Sequence, residues 1–169
     1  MKTLYLIRHA KSSWDDLDLK DFDRPLNERG KKDAPRMAKR LKEKKVFPDL
    51  MLSSPAERAL TTCKEIAKVL GYLEENIKSD SRLYHADEDQ LLKIVQEIKD
   101  LNDAEEVVMI FGHNPGLTVF ANLLLNEHIP NIPTCGVVAA DMKISSWNDT
   151  KFRSGKLLFF DFPKENKRD

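Results

Sequence analysis

Short apolar runs alternate with helical stretches along most of this chain, and that alternation limits the fold more than any other feature. The runs are "TLYLI" (3–7), "DLMLSS" (49–54), a weaker one over 79–84, "EVVMIFG" (106–112), "CGVVAADMKI" (135–144) and "KLLFFDF" (156–162). All are short enough to be strands. Between them, "LNERGKKDAPRMAKRLKEKK" (26–45) predicts a helix capped by Asn27. Pro35 inside it predicts either a kink or a restart with Asp33 as cap. Ser54, Pro55 and Glu57 read as N-cap, first helical residue and the far end of an S-x-x-E capping box. That helix is expected to run to Leu70 and stop at Gly71. Asp87 with Gln90 opens a third helix, with Leu91, Ile94, Val95, Ile98 and Leu101 on one face. Asn114 caps a fourth, with Pro115 in its first turn. Strands alternating with helices predict an α/β fold, a three-layer α/β/α sandwich around a mainly parallel sheet.

The 169 residues suit a single domain spanning 1–169, with 164–169 a frayed tail. Charged residues make up 33%, but Lys plus Arg (28) equals Asp plus Glu (28), so no net charge draws the chain to nucleic acid or to an anionic membrane. The apolar run of the N-terminus, Leu4 to Ile7, ends at Arg8, too short for a signal peptide, and no stretch approaches a membrane span. Cys63 and Cys135 stand far apart without a CxxC, which fits reduced thiols in a cytoplasmic protein.

Three strand-to-helix junctions carry unusual polar residues. Arg8 and His9 end the first strand. Arg58 follows the second, in "SSPAERALTT". His113 follows the strand 106–112, in "FGHNPGL". Taken singly, each has an ordinary explanation: an ion pair, a strand exit, a surface helix position, a turn. Together they sit where a parallel sheet gathers its strand ends, so two arginines and two histidines converge on one crevice. Helix N-termini add backbone donors there. Such a crevice suits a multi-oxygen anion, and the planar fork of arginine matches phosphate best. No carboxylate or histidine cluster has metal-ligand spacing, so neither metal nor cofactor is expected.

In their order along the chain, "LIRHAKS", "LNERG", "SSPAERALTT" and "GHNPGL" resemble the histidine phosphatase superfamily, the phosphoglycerate-mutase-like group. "RHAKSSW" with "DRPLNERG" in so short a chain is most similar to the small bacterial phosphohistidine phosphatases of SixA type. The resemblance runs over residues 3–162. It implies that His9 is the nucleophile that accepts the phosphoryl group, that Arg8 and Arg58 clamp its oxygens, and that His113 completes the pocket. Ser12, in the same motif as His9, is a further candidate for substrate contact. A neutral imidazole can attack phosphorus in line, and phosphoryl transfer chiefly needs positioning and charge neutralisation.

Two residues depart from the family pattern. Ala10 replaces the glycine usual after Arg-His. "RLYHAD" places His85 where many relatives carry a general-acid Glu; His85 either substitutes for it or lines the pocket rim, and Asp87, Glu88 and Asp89 are the nearest carboxylates. Expelling an alkoxide needs an acid, whereas a protonated phosphoramidate nitrogen leaves far more easily. The absent Glu therefore favours a phosphohistidine-bearing protein as substrate. A broad small-molecule phosphomonoesterase is the enzyme alternative, and a noncatalytic phosphate-binding adaptor the alternative from another class. The segment "WDDLDLKDFDR" (14–24) reads as a solvated loop or as a face for a basic partner, and Trp14 and Trp147 as packing or as pocket flanks.

Overall fold

The computed structural model describes residues 1–101 and 106–164. Its elements are β1 (Lys2–Arg8), α1 (Glu28–Glu43), β2 (Leu50–Ser53), α2 (Glu57–Leu70), β3 (Lys78–Ser79), α3 (Glu88–Gln96), β4 (Glu106–Gly112), α4 (Gly116–Leu125), β5 (Val137–Met142) and β6 (Gly155–Asp161). The sheet has the order β3-β2-β4-β1-β5-β6. β1, β2, β3 and β4 are mutually parallel. β5 runs against both β1 and β6, so it alone opposes the other five.

The period-2 alternation of β1 divides the core. Leu4 and Leu6 pack into a cluster with Leu91 and Ile94 of α3 and Leu117 and Phe120 of α4. Tyr5 and Ile7 point the other way, into a cluster with Met37 and Leu41 of α1 and Cys63 and Ile66 of α2. This is the α/β/α sandwich that the alternating pattern predicts. Trp147 is fully buried in the first cluster, and Trp14 is exposed. Among the described residues, no helix is long and apolar enough to cross a membrane.

Several boundaries differ from the sequence expectation. Pro35 neither ends nor restarts α1, which is continuous from Glu28 and capped by the Asn27 side chain on the Gly30 amide at 2.8 Å. Asp33 is no cap; it is buried and paired with Arg29 and Arg36, each at 3.3 Å. α2 begins at Glu57 after Ala56, without a side-chain cap, so the Ser54 capping box does not form. Ser54 instead extends the β2 edge, its amide donating to Phe111 O at 3.0 Å. The strand expected over 79–84 shrinks to Lys78–Ser79 and gives way to a 3-10 turn at Ser81–Leu83, started by the Asp80 side chain on the Arg82 amide. α3 has its Asp87 cap but stops at Gln96, leaving Leu101 beyond it and exposed. α4 starts one residue after Pro115, with Asn114 Oδ1 accepting from the Thr118 amide at 3.3 Å. Of the tail expected to fray, 164–169, all but Lys164 lies outside the described residues.

Candidate active site

The three adjoining strands β2, β4 and β1 end level with one another. Arg8 pairs with Gly112 and Ser53 with Phe111, so the residues that follow them, His9, Ser54 and His113, emerge side by side. The backbone beneath His9 is fully occupied. Its amide donates to Gly112 O (3.2 Å), its carbonyl accepts from the Cys135 amide (2.9 Å), and the next amide, of Ala10, donates to Thr62 Oγ1 (3.0 Å). Thr62 Oγ1 in turn donates to Arg58 O at 2.7 Å, tying this loop to the first turns of α2. Ala10 is accommodated without exposure, in full contact with the core.

His9 is 7% exposed, and its Nδ1 lies 2.7 Å from Ala10 O. A carbonyl can only accept, so Nδ1 carries the proton and Nε2 keeps its lone pair. Burial pushes the pKa down to about 4, the Ala10 carbonyl opposing and the charges of Arg58, Arg8 and Arg24 adding to the fall. The ring is therefore neutral at pH 7 and available as a nucleophile without prior deprotonation.

His113 faces it, the ring centroids 5.2 Å apart. Its Nε2 lies 2.8 Å from Ser54 Oγ, and its buried Nδ1 has no protein partner. Ser54 Oγ also accepts from the Ala56 amide at 3.2 Å. With the hydroxyl donating to Nε2, the ring proton sits on Nδ1, where a phosphoryl oxygen can take it. Burial, then the nearby His9, Arg58 and His85, push the His113 pKa down to about 3, against Asp21.

Three guanidiniums surround the histidines. Arg8 donates through Nη1 to Ile132 O (3.0 Å), and its buried Nε is unpartnered. Arg58, 5% exposed, donates through Nη1 to the backbone oxygen of Asp21 (2.7 Å) and through Nη2 to its carboxylate (3.0 Å). Arg24 was not foreseen from the sequence. It is buried on the β1–α1 loop, donating through Nε to Ser13 O (3.1 Å), through Nη1 to Asp21 Oδ1 (2.8 Å) and through Nη2 to Ser12 Oγ, with Trp14 stacked 3.3 Å from its Cζ. Ser12, expected to contact substrate, thus supports Arg24.

The rim comes from the segment after β3. A side chain at Gly116 would place its Cβ 1.9 Å from Ala86 O, so glycine there lets this segment approach α4 and the pocket. Tyr84 OH donates to Asp21 Oδ2 at 2.7 Å, and its ring lies 5.5 Å from that of His113. His85, in the left-handed region (φ 61°), is exposed and stacks on Tyr84 at 3.9 Å. Its Nε2 is 3.8 Å from Asp21 Oδ2. The structure brings Arg8, His9, Arg58 and His113 together and leaves His85 at the edge. Arg24, Asp21, Tyr84 and Ser54 are additions. A pair of neutral imidazoles among three guanidiniums, those of Arg24 and Arg58 buried and that of Arg8 half-buried, can bind a dianion and accept a phosphoryl group.

Residues 4–87 match the family model of the histidine phosphatase superfamily (branch 1). An uncharacterised chloroplast protein of Arabidopsis thaliana is 35% identical over 159 residues, 91% of this chain and 72% of that one. A solved structure from Agrobacterium tumefaciens, provisionally assigned as the phosphohistidine phosphatase SixA, superposes with a TM-score of 0.78 at 27% identity, covering 96% of this chain and 98% of that one. A mycobacterial glucosyl-3-phosphoglycerate phosphatase shares the fold, with a TM-score of 0.67 at 15% identity, covering 96% and 98%.

Proposed function

This chain belongs to the histidine phosphatase superfamily, and from that premise we propose that it is a metal-independent phosphatase that removes the phosphoryl group from phosphohistidine on a protein partner, through a phosphorylated His9. The observation that carries the reading is the fixed His9 ring, with Nδ1 on Ala10 O and Nε2 left as nucleophile among buried arginines.

The chemistry follows from that arrangement. His9 Nε2 attacks phosphorus in line; the P–Nε2 bond forms as the bond to the substrate nitrogen breaks. The phosphorylated substrate ring already carries a proton on its other nitrogen, so it departs as neutral imidazole. His9 becomes a phosphoryl-imidazolium, its Nδ1–H shared with Ala10 O. Arg8, Arg24 and Arg58 hold the charge of the equatorial oxygens, and the His113 Nδ1–H is a further donor. Water then attacks phosphorus and returns neutral His9 and inorganic phosphate. The positive charge that a metal would supply comes from the guanidiniums.

The substrate class rests on the acid that this scheme does without. An alkyl phosphate would expel an alkoxide and needs a proton at the leaving oxygen. The carboxyl nearest the arginines is Asp21. Burial raises its pKa, but hydrogen bonds from Tyr84, Arg24 and Arg58 outweigh burial and hold it well below the ordinary carboxylate range. It is ionised at neutral pH and cannot donate. The 27% identity with the SixA-assigned structure, over nearly the whole of both chains, supports the same substrate class. A small-molecule phosphomonoesterase is the second reading, favoured by one observation: His85 stands at the rim, 3.8 Å from Asp21, where a proton donor would be needed. The test is a side-by-side measurement of kcat/KM on a phosphohistidine protein, phosphoramidate and alkyl phosphates. The first two should be cleaved much faster; equal efficiency on alkyl phosphates replaces the proposal with the second reading.

A further inference from the structure

Beyond the residues that touch the phosphoryl group, we infer that Asp21 is the positioning residue of this pocket: one carboxylate that holds Arg58 and Arg24 in place around His9. The inference rests on the reading of the pocket as a phosphoryl site and concerns how its charge is arranged. Arg58 is carried by α2 and Arg24 by the far end of the β1–α1 loop, which the Ala10–Thr62–Arg58 hydrogen bonds join to α2 only at its start. Asp21 spans them. Its Oδ1 accepts from Arg24 Nη1 at 2.8 Å, its Oδ2 from Arg58 Nη2 at 3.0 Å, and its backbone oxygen from Arg58 Nη1 at 2.7 Å.

Asp21 is itself held on a single 3-10 turn, Asp21–Asp23, none of whose residues is buried. Three contacts outside that turn keep it in place. Tyr84 OH donates to Oδ2 at 2.7 Å. Phe22, the next residue, packs edge-on against the Tyr84 ring at 5.1 Å. Arg24 closes the turn back onto Ser12 and Ser13. The neighbouring carboxylates of the loop, Asp15, Asp16, Asp18 and Asp23, make no such bridge to Arg58 in the described contacts.

Two guanidiniums drawn to one small pocket repel each other, and a carboxylate between them offsets that repulsion while fixing the direction of each fork. Both Nη atoms of Arg58 are engaged by Asp21, which fixes the direction in which the fork faces the pocket. A preorganised cation loses its value when it must reorient during the reaction. The geometry thus assigns to Asp21 an effect on turnover exerted through Arg58 and Arg24, without contact with the reacting atoms.

The test is a double-mutant cycle of Asp21→Asn with Arg58→Ala, with phosphoramidate as substrate and kcat normalised to the phosphorylatable sites. Asparagine keeps the size and the backbone contact and removes the charged bridge. In the native background Asp21→Asn should lower kcat about tenfold or more, with a smaller change in KM, as loss of a charge-assisted bond implies. In the Arg58→Ala background the same change should cost under about threefold, because the two act as a unit. Equal losses in both backgrounds overturn the inference, as does a rise in kcat, which would make Asp21 a competitor for the anion. The Arg58 guanidinium N–H resonances give a readout free of turnover: distinct Nη signals in the native protein should average in Asp21→Asn. Should the native protein turn over no phosphoryl donor, the functional reading fails, and unchanged Arg58 resonances would then reject the positioning role on their own.

Discussion

His113 Nε2 lies 2.8 Å from the hydroxyl of Ser54, and the two residues each follow directly on a strand end. The pairing leaves Nδ1 of the same ring without a protein partner. Replacing Ser54 with alanine frees the ring to rotate and to change tautomer. Ser54→Ala should reduce kcat by roughly tenfold, the usual scale for losing an orienting partner of a functional histidine. KM should change less. Steady-state kinetics on phosphoramidate check this, and an unchanged kcat would show that the ring is held without the hydroxyl.

The pH dependence follows from two histidines kept neutral by burial. His9 has its pKa lowered to about 4 and His113 to about 3, from an ordinary value near 6.5. The unfolded chain therefore binds more protons than the folded one as pH drops below about 6.5, and stability declines with falling pH down to the folded values. Urea midpoints should fall between about pH 6.5 and 4. The double variant His9→Asn, His113→Asn should lose part of that slope. The same shift carries over to activity: the acid limb of kcat/KM, corrected for substrate ionisation, should lie near pH 4 and not near 6.5.

Arg58 is buried, so the fork geometry and not charge alone decides its worth. Arg58→Ala should lower turnover by about 100-fold or more. Arg58→Lys keeps the charge but lacks the planar pair of donors, and should recover little of it. Near-complete recovery with lysine would show that a point charge suffices. Exhaustive chelation should leave native turnover intact, since Arg8, Arg24 and Arg58 supply the positive charge; restoration of lost activity by one divalent ion would contradict that.

His85→Glu places a carboxyl at the rim, where the family's general acid is expected. Hydrolysis of alkyl phosphates should then rise relative to hydrolysis of phosphohistidine. Side-by-side rates on the two substrates measure the ratio. A fall in alkyl phosphate hydrolysis alone would mean that His85 already donates the proton.

The sheet and the four clustered residues were legible because each rests on a local signal. Apolar runs mark β1, β2 and β4, and the polar residue directly after each run marks its exit. Helix boundaries were less legible where a tertiary partner competes. Ser54 has every local mark of an N-cap, yet His113 and the Ala56 amide claim its hydroxyl, and no local pattern announces that. Arg24 and Asp21 were hidden for another reason. They belong to a loop with five aspartates, and only the folded chain shows that one of the five meets Arg58. The "DRPLNERG" stretch held a partial clue, since Leu26 is buried and Asn27 caps α1, which anchors the chain just after Arg24. Gly30 serves the same end: a Cβ there would fall 2.2 Å from Lys11 O.

Phosphorylation of His9 is the step on which the proposed mechanism turns. Rapid quench of the native protein with labelled phosphoramidate tests it most directly. A single adduct, labile in acid and stable in base, should form within the first turnover, map to His9, and be absent from His9→Ala along with almost all turnover. Full turnover by His9→Ala, or native turnover with no adduct on His9, would contradict the account.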